Sequence, residues 1–253
     1  MSANVRLNTP SIPPVTKHLI IINAILWFAS MLLGSRGIVD LTNYLGLHFW
    51  KGSDFHIHQL FTYMFMHDTS SWSTGSMHIL FNMFTLWMFG SLLERVMGMK
   101  RYLFFYLVCG VGAGLVQELV WQFSWQGLAI DNLVMQGVSV QQATFSVKNG
   151  LIPNIGDFYN MLVTVGASGA VFGVLLAFAM MFPNAKLFIM LIPIPVKAKY
   201  AVIGFVLFEL FFGVSGIMDN VAHFAHLGGM LFALILILYW KKTGAFNNYY
   251  DGI

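Results

Sequence analysis

Four polar side chains, Ser168, His226, His78 and Asn82, stand in stretches otherwise too apolar to favour them. A serine hydroxyl and an imidazole held within about 3 Å make a nucleophile and its general base, the pair that acyl transfer needs. Ser168 lies in Gly166-Ala167-Ser168-Gly169, where small neighbours leave the hydroxyl accessible and let a substrate backbone come close. In the first turn of a helix it also sits beside unpaired N–H groups and the positive end of the helix dipole, which suit a developing oxyanion. The plain alternative is a packing serine, bonded to a backbone carbonyl or a neighbouring helix. His226 shares a stripe with Ala222, Gly229 and Ala233 at spacings of four, three and four, and all the rest of that stripe is small. A second small ridge, Gly169, Gly173 and Ala177, follows Ser168. Such ridges let membrane helices approach closely, but packing does not require an imidazole in the middle of one. His78 and Asn82 are four apart, hence on one face, and each offers an N–H suited to an oxyanion. Their plain alternative is a structural polar stripe with Thr85.

The elements that must position these groups follow from composition. Of 253 residues, 58% are hydrophobic and 9% charged, with a mean hydropathy of +0.73. A soluble domain carries about a quarter charged residues. The apolar runs, roughly 17 to 22 residues long, match what a helix needs to cross a bilayer and exclude an ordinary soluble domain. The net charge of +3 and pI near 9.0 come from dispersed basic residues, not from the clustered patch that nucleic-acid binding needs. Cys109 is the single cysteine, so no internal disulfide forms.

Six apolar segments stand out, at about His18–Gly34, His78–Met97, Tyr102–Trp121, Val165–Phe182, Tyr200–Gly216 and Ala222–Trp240. In a bilayer each must satisfy its own backbone, so each is expected to be a helix. The expected fold is therefore an all-α membrane protein, a six-transmembrane-helix bundle over residues 16–242 with tails at 1–15 and 243–253. The run Leu19–Leu33 lacks a cleavage-site pattern and reads as a retained helix rather than a signal peptide. With the N-terminus cytoplasmic, Arg6, Lys17, Arg95, Lys100, Arg101, Lys186, Lys197, Lys199, Lys241 and Lys242 fall inside, and Arg36, Lys51 and Lys148 outside. Ten against three places both termini in the cytoplasm. The even-numbered helices then enter from outside, and the four polar residues lie at a similar depth below the outer surface. An ionisable group at such depth is costly and points to function.

Two external connections are long. In the first, Ser35–Met77, the apolar Phe61–Met66 is too short to span and is expected at the interface or dipping back against the bundle. The second, Gln122–Asn160, reads as a polar loop. Leu187–Val196 is apolar but broken by Pro193 and Pro195, and is expected on the cytoplasmic surface.

Three strings, HILFN (His78–Asn82), GASGAVFG (Gly166–Gly173) and AHLGG (Ala225–Gly229), resemble the signatures of the rhomboid family of intramembrane proteases, in matching order and on matching helices. The resemblance covers about Pro14 to Lys242. It implies a six-helix bundle open to the extracytoplasmic side, with Ser168 as nucleophile and His226 as general base and then acid. It implies no carboxylate third member, an oxyanion site from His78, Asn82 and the Ser168 backbone N–H, and substrates that are transmembrane helices of other proteins. It implies no cofactor, and those substrates and membrane lipid as partners; the compact architecture suggests a bacterial-style inner membrane. Three departures are visible. Ser73 stands where many relatives carry a second histidine, five residues before the position of His78. Phe172 replaces a tyrosine that stacks under the base, keeping the stacking surface. Ile57-His58-Gln59 stands where a Trp-Arg pair is usual.

Glu209, within the fifth helix, reads first as a neutral or paired structural carboxyl facing the bundle and second as a gate or proton-linked residue. His223 reads as a neighbour that tunes the site, not as the base. No HExxH-like spacing supports a metal centre. Gly110 and Gly114 read as a packing face. Two other functions compete with the protease: a catalytically silent relative that binds or escorts membrane helices, and a small transporter. The silent relative is disfavoured because Ser168 and His226 are both retained. The transporter is disfavoured because it would show interrupted spans and midplane charges.

Overall fold

The computed structural model describes residues 11–188, 195–215 and 222–244. Six principal helices run along the chain: α1 (Pro14–Ser35), α2 (Trp72–Met97), α3 (Met99–Met135), α4 (Ser168–Met181), α5 (Ala198–Ser215) and α6 (His223–Lys242). Five are long and apolar enough to cross a membrane, and α4 is a shorter apolar helix of 14 residues. The expected six-helix bundle is thus present, with one span curtailed. At 1.5 Å per residue α4 is about 21 Å long, against a hydrocarbon core of about 30 Å. It is also the enclosed helix, since ten of its fourteen residues are buried. In contrast α1 and α5 turn large apolar side chains outward, among them Ile21, Ile25 and Phe28 on α1 and Ile203, Leu207 and Leu210 on α5. That pattern suits helices whose outer solvent is lipid.

The curtailment has a local cause. Val163–Thr164, just before the expected start of the fourth span at Val165, pairs antiparallel with Leu47–His48 of the first external connection, and the helix begins only at Ser168. That connection is folded throughout. Asp40 caps the short helix Leu41–Leu45 by accepting from the Thr42 N–H. Gln59–Thr62 and Tyr63–Phe65 then form two consecutive helical turns, and Tyr63, Met64, Phe65 and Met66 are all buried. Phe61–Met66 therefore dips into the bundle, where the Tyr63 hydroxyl donates to the Gly110 carbonyl at 2.6 Å. Gly110 and Gly114 form the packing face expected of them, against Met64 and against Leu47 and Tyr63.

The second connection departs from its expectation as a polar loop. α3 continues past Trp121 to Met135, and two short helices follow at Val140–Lys148 and Ile155–Met161. Nothing between Gln122 and Met135 breaks the helix. It stops at Gly137, whose φ of +91 lets the Val138 and Gly137 N–H groups bond the Leu133 and Val134 carbonyls. Leu187–Val196 also differs from a plain surface run. Lys186–Phe188 pairs with Pro195–Lys197 as an antiparallel hairpin, while Pro193 lies outside the described residues. At the other end of α2, Glu94 takes up the free N–H groups of α1, accepting from Val15 at 2.9 Å and Thr16 at 2.7 Å.

Helices α3, α4 and α6 meet through their small residues. A methyl at Gly229 of α6 would run into the Gly169 carbonyl of α4, and one at Gly173 would stand 2.9 Å from Cys109 Sγ of α3. Gly229→Ala is therefore expected to cost about 1–3 kcal/mol through forced separation of α4 and α6. Gly204→Ala, where a methyl meets nothing within 4 Å, should be neutral or slightly stabilising. Thermal unfolding of both variants in detergent micelles tests this, and equal midpoints would contradict it.

Candidate active site

Gly166 turns the chain into α4. Its φ of +133 is one that residues with a Cβ rarely adopt, and its N–H is held by the Tyr63 carbonyl at 3.0 Å. Two residues later Ser168 begins the helix, half-buried, with its Oγ 2.8 Å from Nε2 of the buried His226. The contact between Gly229 and Gly169 brings the two helices near enough for this bond. Phe172, one turn beyond Ser168, lies flat on the imidazole with centroids 4.3 Å apart and planes 6° from parallel. The ring is thereby confined to its own plane.

Beyond His226 lies a group that the rhomboid resemblance does not imply. Oε2 of Glu209, on α5, is 2.9 Å from His226 Nδ1 and 2.7 Å from His223 Nδ1, and all three residues are buried. The expectation of no carboxylate third member is thus corrected: a carboxylate stands directly behind the imidazole. Glu209 is paired, as its first reading held, and its partners are the two histidines. The three ligand-type atoms lie within 4.8 Å of one another. A tetrahedral metal with bonds of about 2.0–2.2 Å would hold such atoms about 3.4 Å apart. The separations of 2.7 and 2.9 Å are those of hydrogen bonds instead.

His78 approaches from α2. Its Nδ1 accepts from the Asp68 N–H at 3.4 Å, so its proton resides on Nε2. That edge borders the serine: a methyl at Gly166 would stand 3.2 Å from His78 Nε2 and 3.4 Å from Ser168 Oγ. Asn82 is buried one turn further on, and one of its amide N–H groups donates to the His78 carbonyl at 2.8 Å. The structure thus gathers Ser168, His226, Phe172 and His78 around one small space. Asn82 adjoins it by way of His78.

Two supporting residues escaped the reading by spacing. Ser73 is exposed, and the ring packed edge-on against His78 is that of His67, at 5.1 Å between centroids. His67 Nε2 donates to Asn23 Oδ1 at 2.9 Å, which ties α1 to the site. In the first connection Gln59 is fully buried; its Oε1 accepts from the His56 and His48 N–H groups and its Nε2 donates to the Asp54 carbonyl. A neutral amide therefore fastens this loop where a Trp-Arg pair is usual. A cavity of about 500 Å³ opens between the extended end of α3, the last turn of α5, the first turn of α6 and Val163–Thr164, and His223 forms part of its wall.

Together these features define a class, a polytopic all-helical membrane protein with a Ser–His pair set into one end of its bundle. The chain matches the Rhomboid domain over residues 54–242 and belongs to the rhomboid family. It is similar to Rhomboid protein 1, mitochondrial, of Saccharomyces cerevisiae, with 26% identity over 166 residues. The match covers 66% of this chain and 38% of that protein, so the chain corresponds to well under two thirds of its relative's length.

Burial, and next the neighbouring His78, lower the His67 pKa from 6.5 to about 3. The unfolded chain therefore binds a proton below pH 6.5 that the native state refuses until about pH 3. Stability should fall as pH drops through that window, by about 1.4 kcal/mol for each full unit. Unfolding midpoints measured from pH 7 to pH 4 should decline less steeply in His67→Gln than in the wild type. Parallel slopes would show that His67 is not the group responsible.

Proposed function

We propose that this chain is an intramembrane serine endopeptidase that cuts transmembrane helices of other membrane proteins near the extracytoplasmic face. The observation that carries the reading is the 2.8 Å contact between Ser168 Oγ and His226 Nε2. In this mechanism the Ser168 oxygen bonds the scissile carbonyl carbon while its proton passes to His226 Nε2. The carbonyl π electrons move onto oxygen, where the Ser168 backbone N–H, His78 Nε2–H and the second Asn82 N–H serve as donors. His226 then gives its proton to the leaving amine nitrogen as the C–N bond breaks. Water, activated by the same imidazole, hydrolyses the acyl-enzyme. Phe172 supports the base by holding its plane.

The short α4 suits this chemistry, because it sets the nucleophile below the ends of the longer helices around it. A scissile peptide still in a helix has its backbone groups paired and shielded, so the substrate must unwind before attack. The excess of Lys and Arg on one set of connections supports a membrane orientation with both termini cytoplasmic. The catalytic unit in this reading is residues 16–242.

Ser168→Ala is expected to abolish cleavage of a single-span reporter while expression and thermal stability persist; undiminished cleavage would end the serine assignment. A fluorophosphonate probe should label the wild type, with the adduct on Ser168 by mass spectrometry. Asn82→Ala should lower kcat by about 10²-fold, and full turnover would remove Asn82 from the oxyanion site.

A further inference from the structure

His223 and His226 stand three residues apart on α6, and α5 sets the Glu209 carboxylate against both. One oxygen serves two Nδ1 atoms. An ionised carboxylate can only accept, so each Nδ1 carries its proton. The proton on Nδ1 leaves His226 Nε2 with a bare lone pair, and that lone pair faces Ser168 Oγ. The opposite tautomer would present a proton to the hydroxyl and could not act as its base. His223 Nε2 is buried and has no partner among the described residues, which fits a neutral ring; a doubly protonated one would bury an unpaired N–H of a cation.

We propose that Glu209 is a positioning residue of this site, holding His226 in the tautomer a base requires and compensating the imidazolium formed when Ser168 gives up its proton. His223 clamps the carboxylate so that it cannot turn from His226. This deepens the serine-protease reading and rests on it. Phe172 fixes the plane of the imidazole, and Glu209 fixes which nitrogen is bare. Among the described residues, the titratable groups about His226 are Glu209 from α5, His223 on its own helix and His78 from α2. Here α3 meets α6 with Ala113 and Val116, and α4 meets it with Ser168, Gly169 and Phe172, none of them charged. Glu209 is the one acidic group in this set.

The test uses the purified full chain in micelles with a single-span substrate. Glu209→Gln should lower kcat by roughly 10²–10⁴-fold with KM within about threefold of the wild type. The acid limb of the pH–kcat profile should move down by about one unit, because a neutral amide no longer favours the imidazolium. His223→Gln should lower kcat by roughly 3- to 30-fold and move the limb the same way by less, since Glu209, no longer clamped, is turned from His226 part of the time. A carboxyl with a merely structural role would reduce yield or thermal midpoint and leave the limb in place, and that result overturns the proposal. Nitrogen-15 histidine spectra of the wild type decide the matter even where a variant fails to fold. His226 and His223 protonated at Nδ1 near pH 8 are expected, and His226 protonated at Nε2 overturns the proposal. The spectra do not depend on cleavage, so continued cutting by Ser168→Ala would end the protease reading while leaving the tautomer to be judged separately.

Discussion

The bond between Ser168 and His226 joins two helices, and its length is set by backbone contact rather than side-chain reach. Gly229 lies so near the Gly169 carbonyl that no side chain fits between them, and Gly173 is similarly close to Cys109 and to the Gly229 carbonyl. In hydrocarbon there is no hydrophobic gain from pressing two helices together, so close packing and polar contacts must supply the attraction. Here both act at one place. The small residues bring α4 and α6 together, and the hydroxyl and imidazole reward that approach. Widening the contact by one methyl would lengthen the hydrogen bond and loosen the packing at once.

Enclosure of α4 follows from the same arrangement. A helix of 14 residues, about 21 Å, is shorter than the hydrocarbon core it sits in, and something else must cover the end that bears Ser168. The first external connection does so. Its buried turn at Tyr63–Phe65 holds Gly166 by a backbone hydrogen bond, and its strand Leu47–His48 pairs with the segment leading into α4. Gln59, buried with its amide fully engaged, keeps that connection folded. The loop is thus part of the site's floor plan, because it fixes where the helix that bears Ser168 begins.

Much of this was legible in the sequence, and what was missed shares one cause. The spans, the small ridges and the convergence of Ser168, His226 and His78 are local properties of helices, which period and spacing read well. Spacing fails where the chain doubles back. The rhomboid pattern implies a second histidine five residues before His78, where Ser73 stands exposed in the first turn of α2. The ring that meets His78 is that of His67, carried on the turn before the Ser71 cap. Glu209 was visible as a costly carboxyl, but its partner lies 17 residues away on another helix, and no periodicity gives the rotation of α5 about its axis. One signal was available: Ala201, Val202 and Glu209 form the buried face of a helix that otherwise shows large apolar groups to the outside. A carboxyl on the small-residue face of a lipid-exposed helix points inward.

The presence of two histidines on one carboxylate also has a physical logic. Stacking on Phe172 orients an imidazole but is indifferent to which nitrogen holds the proton, since the ring face is nearly the same in either tautomer. A hydrogen-bond acceptor at Nδ1 removes that ambiguity. An anion is the strongest acceptor available, yet an ionised carboxylate within a membrane bundle is costly unless several donors meet it. With His226 alone Glu209 would have a single N–H; His223 adds a second at 2.7 Å, the shorter of the two. His223 thus allows Glu209 to remain charged while His226 is neutral, and His226 gains its full attraction to that charge only on becoming an imidazolium. In the proposed role of Glu209, the positive charge that forms on the imidazole during attack meets a counter-charge already in place, and such an interaction raises rate rather than affinity.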